Sequence, residues 1–459
     1  MFLPKEKSSE LAFTEGAILA PLLKFTIPII LALFLQSLYG AVDLVVIGQF
    51  CDASSVSAVA IGSQVMQTIT GMVVGLTMGL TVLVGMRLGE GCPEDAGKAV
   101  GASICLFGVV ALLITGIMLF GAETVARLLD APKEAFAKTA QYIFICSAGS
   151  VFIVAFNLIG SIFRGLGNSN LPLLFVGIAC LINVAGDLLL VGFFHLDVTG
   201  AALATVVAQA GSVLIALTVI RKKKLPFRLD KQSVVFRASE IKQILKLGYP
   251  IALQDTLTNI SFLILFKIFN GLGVIVSAAV GVAEKIIIIC MILPFAYMSS
   301  LATFVAQNIG AQKPSRAKKA LFYGIETASV FGVIMFCLAF FYGDRLAGLF
   351  TGDMAVIAAC ANYLKAYGLD CICTSVLFCL MGYFTGCGRT FFVMLQGFCS
   401  AFLARIPFSY FMSKVPGITL FKIGLAAPLA SLFSIILCVI YYRYARWNKW
   451  EHGLEKVSG

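Results

Sequence analysis

Two carboxylates interrupt otherwise apolar stretches in the first half of the chain. Asp43 lies in the run 19–49 and Asp187 in the run 171–193. Asn183 precedes Asp187 by four residues, so on a helix the two side chains share a face. Asn157, in the run 136–163, and Thr205, in the run 199–220, add neutral oxygens. An ionised side chain at the centre of a bilayer costs about 2.5–3.5 kcal/mol on insertion scales, so each needs a partner or a purpose. A carboxylate in a low-dielectric bundle takes up a proton readily. Two carboxylates with neutral oxygens also make a hard-oxygen cage for a small cation such as Na⁺. Either occupant neutralises the site. Coupling follows only if ion and substrate have different affinities for two conformations. The same side chains would also serve as interhelical hydrogen-bond glue.

The second half offers another candidate site for substrate or proton: Gln254, Asp255, Asn259, Glu284 and Asp370. Lys267, Lys285, Lys365 and Arg405 are embedded bases that could neutralise these acids. Pro28 sits within the first apolar run, well before Asp43. A proline inside a helix removes a hydrogen bond, so Pro28 is either a hinge or a static kink.

Other chemistries lack their residues. The only histidines are His195 and His452, and no H-E-x-x-H occurs. No phosphate-binding G-x-x-x-x-G-K-[ST] run is present. The 14 cysteines are scattered without metal-ligand spacing, so they read as small apolar residues. No nucleophile–base set stands out. The expectation is a protein that is not an enzyme and holds no cofactor or metal beyond a coupling ion, H⁺ or Na⁺.

These residues need apolar helices to carry them. The composition is 60% hydrophobic and 12% charged, against about a quarter charged in soluble domains. Continuous apolar runs, long enough for a hydrocarbon core of about 30 Å, fall at 19–49, 57–86, 98–121, 136–163, 171–193 and 199–220. A second six fall at 245–270, 275–306, 318–342, 355–385, 391–413 and 422–444. Gly71, Gly75 and Gly79 stack on one face and suit close helix packing. The N-terminal stretch is polar and charged, so no cleavable signal is expected. The densest basic cluster, Arg221 to Lys224 with Arg228, Lys231 and Arg237, lies between the sixth and seventh runs. By the positive-inside rule that loop and both termini face the cytoplasm. The expected divisions are a tail at 1–16, a first lobe at 17–220, a basic linker at 221–239, a second lobe at 240–445 and a tail at 446–459.

The halves repeat at one fixed offset. Val84-Gly-Met-Arg87-Leu-Gly89 recurs as Val305-Ala-Gln-Asn308-Ile-Gly310. Phe163-Arg-Gly165-Leu-Gly167-Asn recurs as Phe384-Thr-Gly386-Cys-Gly388-Arg at the same offset, and Pro250 follows Pro28 at nearly the same one. Asn183 and Asp187 correspond to Ala404 and Phe408, so the acidic pair belongs to one half only. The expected fold is all-α and membrane-integral, with twelve transmembrane helices. They form two pseudo-symmetric six-helix bundles around a central cavity, a transporter architecture.

The Pro28 and Asp43 of the first run, the Asn183-x-x-x-Asp187 pair, the Phe-Arg-Gly-Leu-Gly-Asn run and the Gln-Asn-Ile-Gly-Ala run together resemble the multidrug and toxic compound extrusion (MATE) family. The resemblance covers about 15–450 and is nearest the DinF-like bacterial branch. It implies a cation site at Asp43, Asn157, Asn183, Asp187 and Thr205 and a bend at Pro28. The NorM-like branch places a Glu eight residues after the seventh-run proline, where Thr258 stands here. The family implies export of amphipathic, mostly cationic organic compounds in exchange for H⁺ or Na⁺. The expected partners are hydrophobic or cationic small molecules and membrane lipids, not nucleic acid, around a monomer. The rival reading is a flippase for lipid-linked oligosaccharides from the same superfamily.

Overall fold

The computed structural model describes residues 13–222, 225–227, 229 and 233–447. Most of both expected tails lies outside the described residues, as do Lys223, Lys224, Arg228 and Lys231 of the basic cluster.

The described residues form helices α1 to α16. In order these are Leu19–Phe50, Ala53–Gly89, Pro93–Leu128, Lys133–Ala148, Ser150–Gly165, Asn170–Asp187, Asp197–Lys222, Ala238–Asn270, Val274–Gly310, Pro314–Phe341, Gly343–Gly348, Met354–Gly386, Thr390–Cys399, Ile406–Ser413, Leu420–Gly424 and Ala426–Trp447. Eleven are long and apolar enough to span a membrane, or twelve when α4 and α5 count as one bent span. Here α6 includes its continuation to Phe193, α13 and α14 form one span, and α15 and α16 another. The sequence expectation of an all-helical, multi-pass membrane protein holds. Outward-facing Phe120, Leu112 and Leu181 are largely exposed, as lipid-facing residues should be.

Several spans depart from simple helices, among them Thr390–Ser413, whose middle, Ser400–Arg405, is a π-helical turn. The run 136–163 breaks at Gly149, and its two pieces meet at 52°. A Cβ on Gly149 would lie 2.5 Å from Val206 of α7, so only glycine permits that approach. Directly after Asp187 the chain winds into a π-helical turn, Leu188–Phe193, a distortion common at functional sites. By contrast α1 continues unbroken through Pro28.

The chain divides into two compact units. The first comprises the described part of Met1–Leu253 together with Ala302–Ala320 and Gly386–Gly388. In it α6 packs on α1 and α7, while α2 packs on α4 and α5. One of its core clusters centres on Phe107, Phe163 and Phe175. The second comprises Gln254–Leu301, Leu321–Thr385 and the described part of Arg389–Gly459, with a core around Phe269, Tyr363 and Tyr367.

The sequence repeat is written in the backbone. Gly91 and Gln312 both have positive φ, as do Gly167 and Gly388. Within the first unit the repeated glycines make matching contacts. Gly165 abuts Thr81 and Val84, and Gly386 abuts Ala302 and Val305. Gly89 presses on the carbonyl of Gln307, and Gly310 presses on that of Met86. Each of these contacts has its counterpart at the repeat offset. Gly75 and Gly79 lie against the backbone of α8 at Ala252 and Gly248, as expected of a packing face, whereas Gly71 faces open space.

Candidate cation site

Asp43 comes from the second half of α1, and Asn183 and Asp187 from the end of α6. Their helices pack together, and the i, i+4 spacing turns Asn183 and Asp187 to one side. The carboxylate of Asp43 faces that of Asp187 and the amide of Asn183. All three side chains are buried: Asp43 is 5% exposed, Asn183 and Asp187 1% each. Asp43 Oδ1, both carboxylate oxygens of Asp187 and both amide atoms of Asn183 lack hydrogen-bond partners. Among the described residues no lysine or arginine pairs with either aspartate. Buried charges are ordinarily paired or bound to a cation. Two carboxylates face to face without a base are therefore a place for a proton or a small cation.

A cavity of about 20 Å³ adjoins the cluster, lined by Gln36, Tyr39, Asn183, Thr205 and Gln209 among others. That space admits one water or one small ion, not an organic compound. Thr205 thus reaches the site through the cavity, although its hydroxyl also donates to Ala201 O at 3.1 Å. Asn157 is turned away: its amide donates to Ile153 O, 2.8 Å along its own helix, and it lines no part of the cavity.

Sequence reasoning passes over several polar neighbours. Tyr39 lies one turn before Asp43 and faces Gln209, one turn after Thr205. Tyr142 of α4 stands against Thr205, with Cys146 beside it. The i, i+4 relation of Tyr39 to Asp43 is the available signal. For Tyr142 the sequence holds none.

The second unit distributes its acids differently. Arg405 lies near both Glu284 of α9 and Asp370 of α12, with its guanidinium carbon 5.2 Å from the Phe262 ring centre. Asp370 is 2% exposed and faces Ser431. Asp255 stands apart, and no charged group among the described residues acts on it. Gln254 is packed against Gly397, and Asn259 is exposed. The five residues of this candidate site thus do not form one cluster.

A third charged group sits beyond the end of α1. Lys138 donates to Asp52 at 3.0 Å and to Ser55 at 2.6 Å, and pairs with Asp197 at 2.8 Å. Hydrogen bonds from Ser55 and Lys138 hold the exposed Asp52 carboxyl well below the usual carboxylate range.

Comparison with known proteins gives this arrangement its lineage. The family model MatE matches residues 28–189 and again 250–411, two copies spaced as the prolines are. The chain belongs to the MatE family. Similar members include the probable multidrug resistance protein YpnP of Bacillus subtilis, 26% identical and covering 97% of this chain and 99% of that protein. The probable multidrug resistance protein NorM of Thermotoga maritima is 23% identical over 98% of this chain and 96% of its own. Among solved structures, a MOP superfamily transporter from Pyrococcus furiosus superposes with a TM-score of 0.89 at 18% identity, covering 98% of this chain and 99% of that one. A structure of MATE in complex with MaL6 gives 0.88 at 18% identity, covering 96% and 98%. These likenesses establish the MatE fold. Both MatE matches begin at a proline, Pro28 and Pro250, each inside the first helix of its repeat.

Proposed function

We propose that this MatE protein is a secondary antiporter. It exports amphipathic, mostly cationic organic compounds in exchange for H⁺ or Na⁺, by alternating access of two six-helix lobes. Relatives named as multidrug resistance and multidrug export proteins support multidrug export. The observation that carries the coupling is the base-free pair Asp43–Asp187 beside Asn183, buried and unpartnered next to a space sized for one ion. A proton or Na⁺ neutralises that pair and favours the conformation that holds it, so an ion gradient biases the cycle. Asp43, Asn183, Asp187 and Thr205 form the ion site and Pro28 is the hinge of α1, with Asn157 as a supporting residue. Glu284 and Asp370, sharing Arg405, make the second site for proton or substrate, in preference to the isolated Asp255. The protein works as a monomer with both termini in the cytoplasm, as the basic cluster between the repeats supports.

Transport into inverted vesicles under an imposed ΔpH or ΔNa⁺ tests the reading. Asp43→Asn and Asp187→Asn abolish gradient-driven uptake while expression is kept. Undiminished uptake in both variants refutes the proposed coupling site.

A further inference from the structure

The segment leading into α1 is held by side chains of the second repeat, Arg316 foremost among them. Phe13 is 1% exposed, with its ring centre 5.2 Å from that of Phe25 and 4.9 Å from that of Phe304. Arg316 Nη1 donates to the carbonyl of Gly16 at 2.7 Å. Its Nη2 donates to Phe13 O at 2.9 Å and Glu15 O at 3.1 Å, with Ala17 O at 3.5 Å. Its Nε donates to Asn308 Oδ1 at 3.2 Å. Asn308 is fully buried and its amide reaches Phe13 O at 3.2 Å, while Lys313 donates to Thr14 O at 3.0 Å. All these residues belong to the first compact unit. The planar, five-donor guanidinium fits converging carbonyls in a way that a lysine ammonium cannot.

The arrangement is one-sided. At the repeat offset Arg316 corresponds to Asp95, which pairs with Lys98 at 2.7 Å instead. Helix α1 then runs from this anchor through Pro28 to Asp43. The residues just before its first turn are therefore tied to the end of α9 and the start of α10, and the ion-site carboxylate lies beyond the proline.

We propose that Arg316 is a positioning residue for transport. It latches the lead-in of α1 in one state of the cycle, so that α1 bends at Pro28 around a fixed first half, and it lets go in the other state. The latch rests on the antiport reading above. Arg316 gathers the carbonyls of Phe13, Glu15, Gly16 and Ala17, so turning that side chain away leaves the segment only the weaker hold of Asn308, Lys313 and the Phe13 ring, and the lead-in loosens.

The test uses the full-length protein in nanodiscs and vesicles. Glutamyl endopeptidase cleaves after Glu15 only when the lead-in is free, because the site must unfold locally to enter the protease. In the wild type this cleavage is slow and changes rate with Na⁺ or acidification. In Arg316→Gln it is several-fold faster and indifferent to both, and maximal efflux falls several-fold with the substrate KM unchanged. Arg316→Lys behaves like Arg316→Gln, since charge without the fork does not hold the segment. Phe13→Ala gives the same phenotype, and combining it with Arg316→Gln adds nothing. Should Arg316→Gln fold poorly, Arg316→Lys and Phe13→Ala answer the same question. Wild-type cleavage and efflux in Arg316→Lys, or additive losses in the double variant, overturn the latch. Gradient-driven efflux that survives in Asp43→Asn defeats the antiport reading separately, whatever the Arg316 variants do.

Discussion

Replacing Asp187 by Asn should stabilise the protein while ending its coupling. When both aspartates of the buried pair are ionised, no lysine or arginine among the described residues pairs with either. An aspartate at mid-span costs about 2.5–3.5 kcal/mol. A buried amide lacking full hydrogen bonding still costs about 1–3 kcal/mol. The substitution therefore gains roughly 1 kcal/mol from desolvation alone. Removing one of two facing charges adds to that, with an upper bound of about 4 kcal/mol at about 4 Å and an effective dielectric constant of about 20. A thiol-reactive fluorogenic dye reports melting through the buried Cys146 and Cys180, and it should show Asp187→Asn melting above the wild type. The second half of the experiment concerns the ion. A cation at about 100 times its dissociation constant adds about 2.7 kcal/mol to a protein that binds it only when folded. Na⁺ or acidification should raise the wild-type melting temperature and leave the variant unmoved. A variant that melts below the wild type in Na⁺-free alkaline buffer would show that Asp187 is structural. So would one that keeps the full rise on adding ion.

Geometry sets three further expectations. Gly149→Ala should cost about 1–3 kcal/mol, the range for overpacking, because its methyl would meet Val206 Cγ2 at 2.5 Å; Val206→Ala, which leaves only a Cβ at 3.0 Å, should recover part of that loss in the same melting assay. Gly310→Ala should prevent accumulation of folded protein, since its Cβ would collide with the backbone of Met86, while Gly71→Ala, with nothing within 4 Å, should change stability by less than about 0.5 kcal/mol. Lys138→Met should lower melting by the same amount across about pH 5–8. The folded Asp52 carboxyl is depressed, so its stabilisation is complete above the unfolded value near about 3.9 and fades only as pH falls towards the depressed one. A loss in Lys138→Met that grows steadily between about pH 8 and 5 would show that another group governs the cluster.

The architecture is legible because its signals are long and redundant. Span-length apolar runs and two motif pairs at one offset leave few alternatives, and the left-handed residues at Gly91 and Gln312, and at Gly167 and Gly388, sit where those motifs repeat. Asp43, Asn183 and Asp187 are legible for a related reason: a carboxylate in an apolar run is costly enough to draw the eye. The hydrogen bond from the Asn157 amide to Ile153 on its own helix is not legible, because nothing in one-dimensional spacing shows which way an amide is turned. Tyr142 escapes notice because it reaches Thr205 from another helix, and tyrosine is ordinary in a span. The break at Gly149 is invisible because the apolar run continues through it. The side chain that restricts position 149 to glycine is Val206, on a helix far along the chain. Arg316 is hidden more deeply still, since its partners are backbone carbonyls that carry no residue identity.

Duplication explains why scaffold and site differ in legibility. The contacts that recur at the repeat offset, Gly89 with Gln307 and Gly310 with Met86, are backbone against glycine, so both copies must keep them or lose the approach. The polar groups carry no such symmetry requirement. One copy places a base-free acid pair where the other has Ala404 and Phe408. The second unit instead sets Arg405 near Glu284 and Asp370, with its own cation already supplied. A pair without a base must draw its counter-charge from outside, whereas acids beside an arginine need not. Among the described residues, two facing carboxylates without a base occur in the first repeat, while the second has the lone Asp255 and two acids around one arginine. The first repeat's first helix is also the one whose lead-in Arg316 grips, so the helix carrying Asp43 of the proposed ion site is the helix tied to the other repeat.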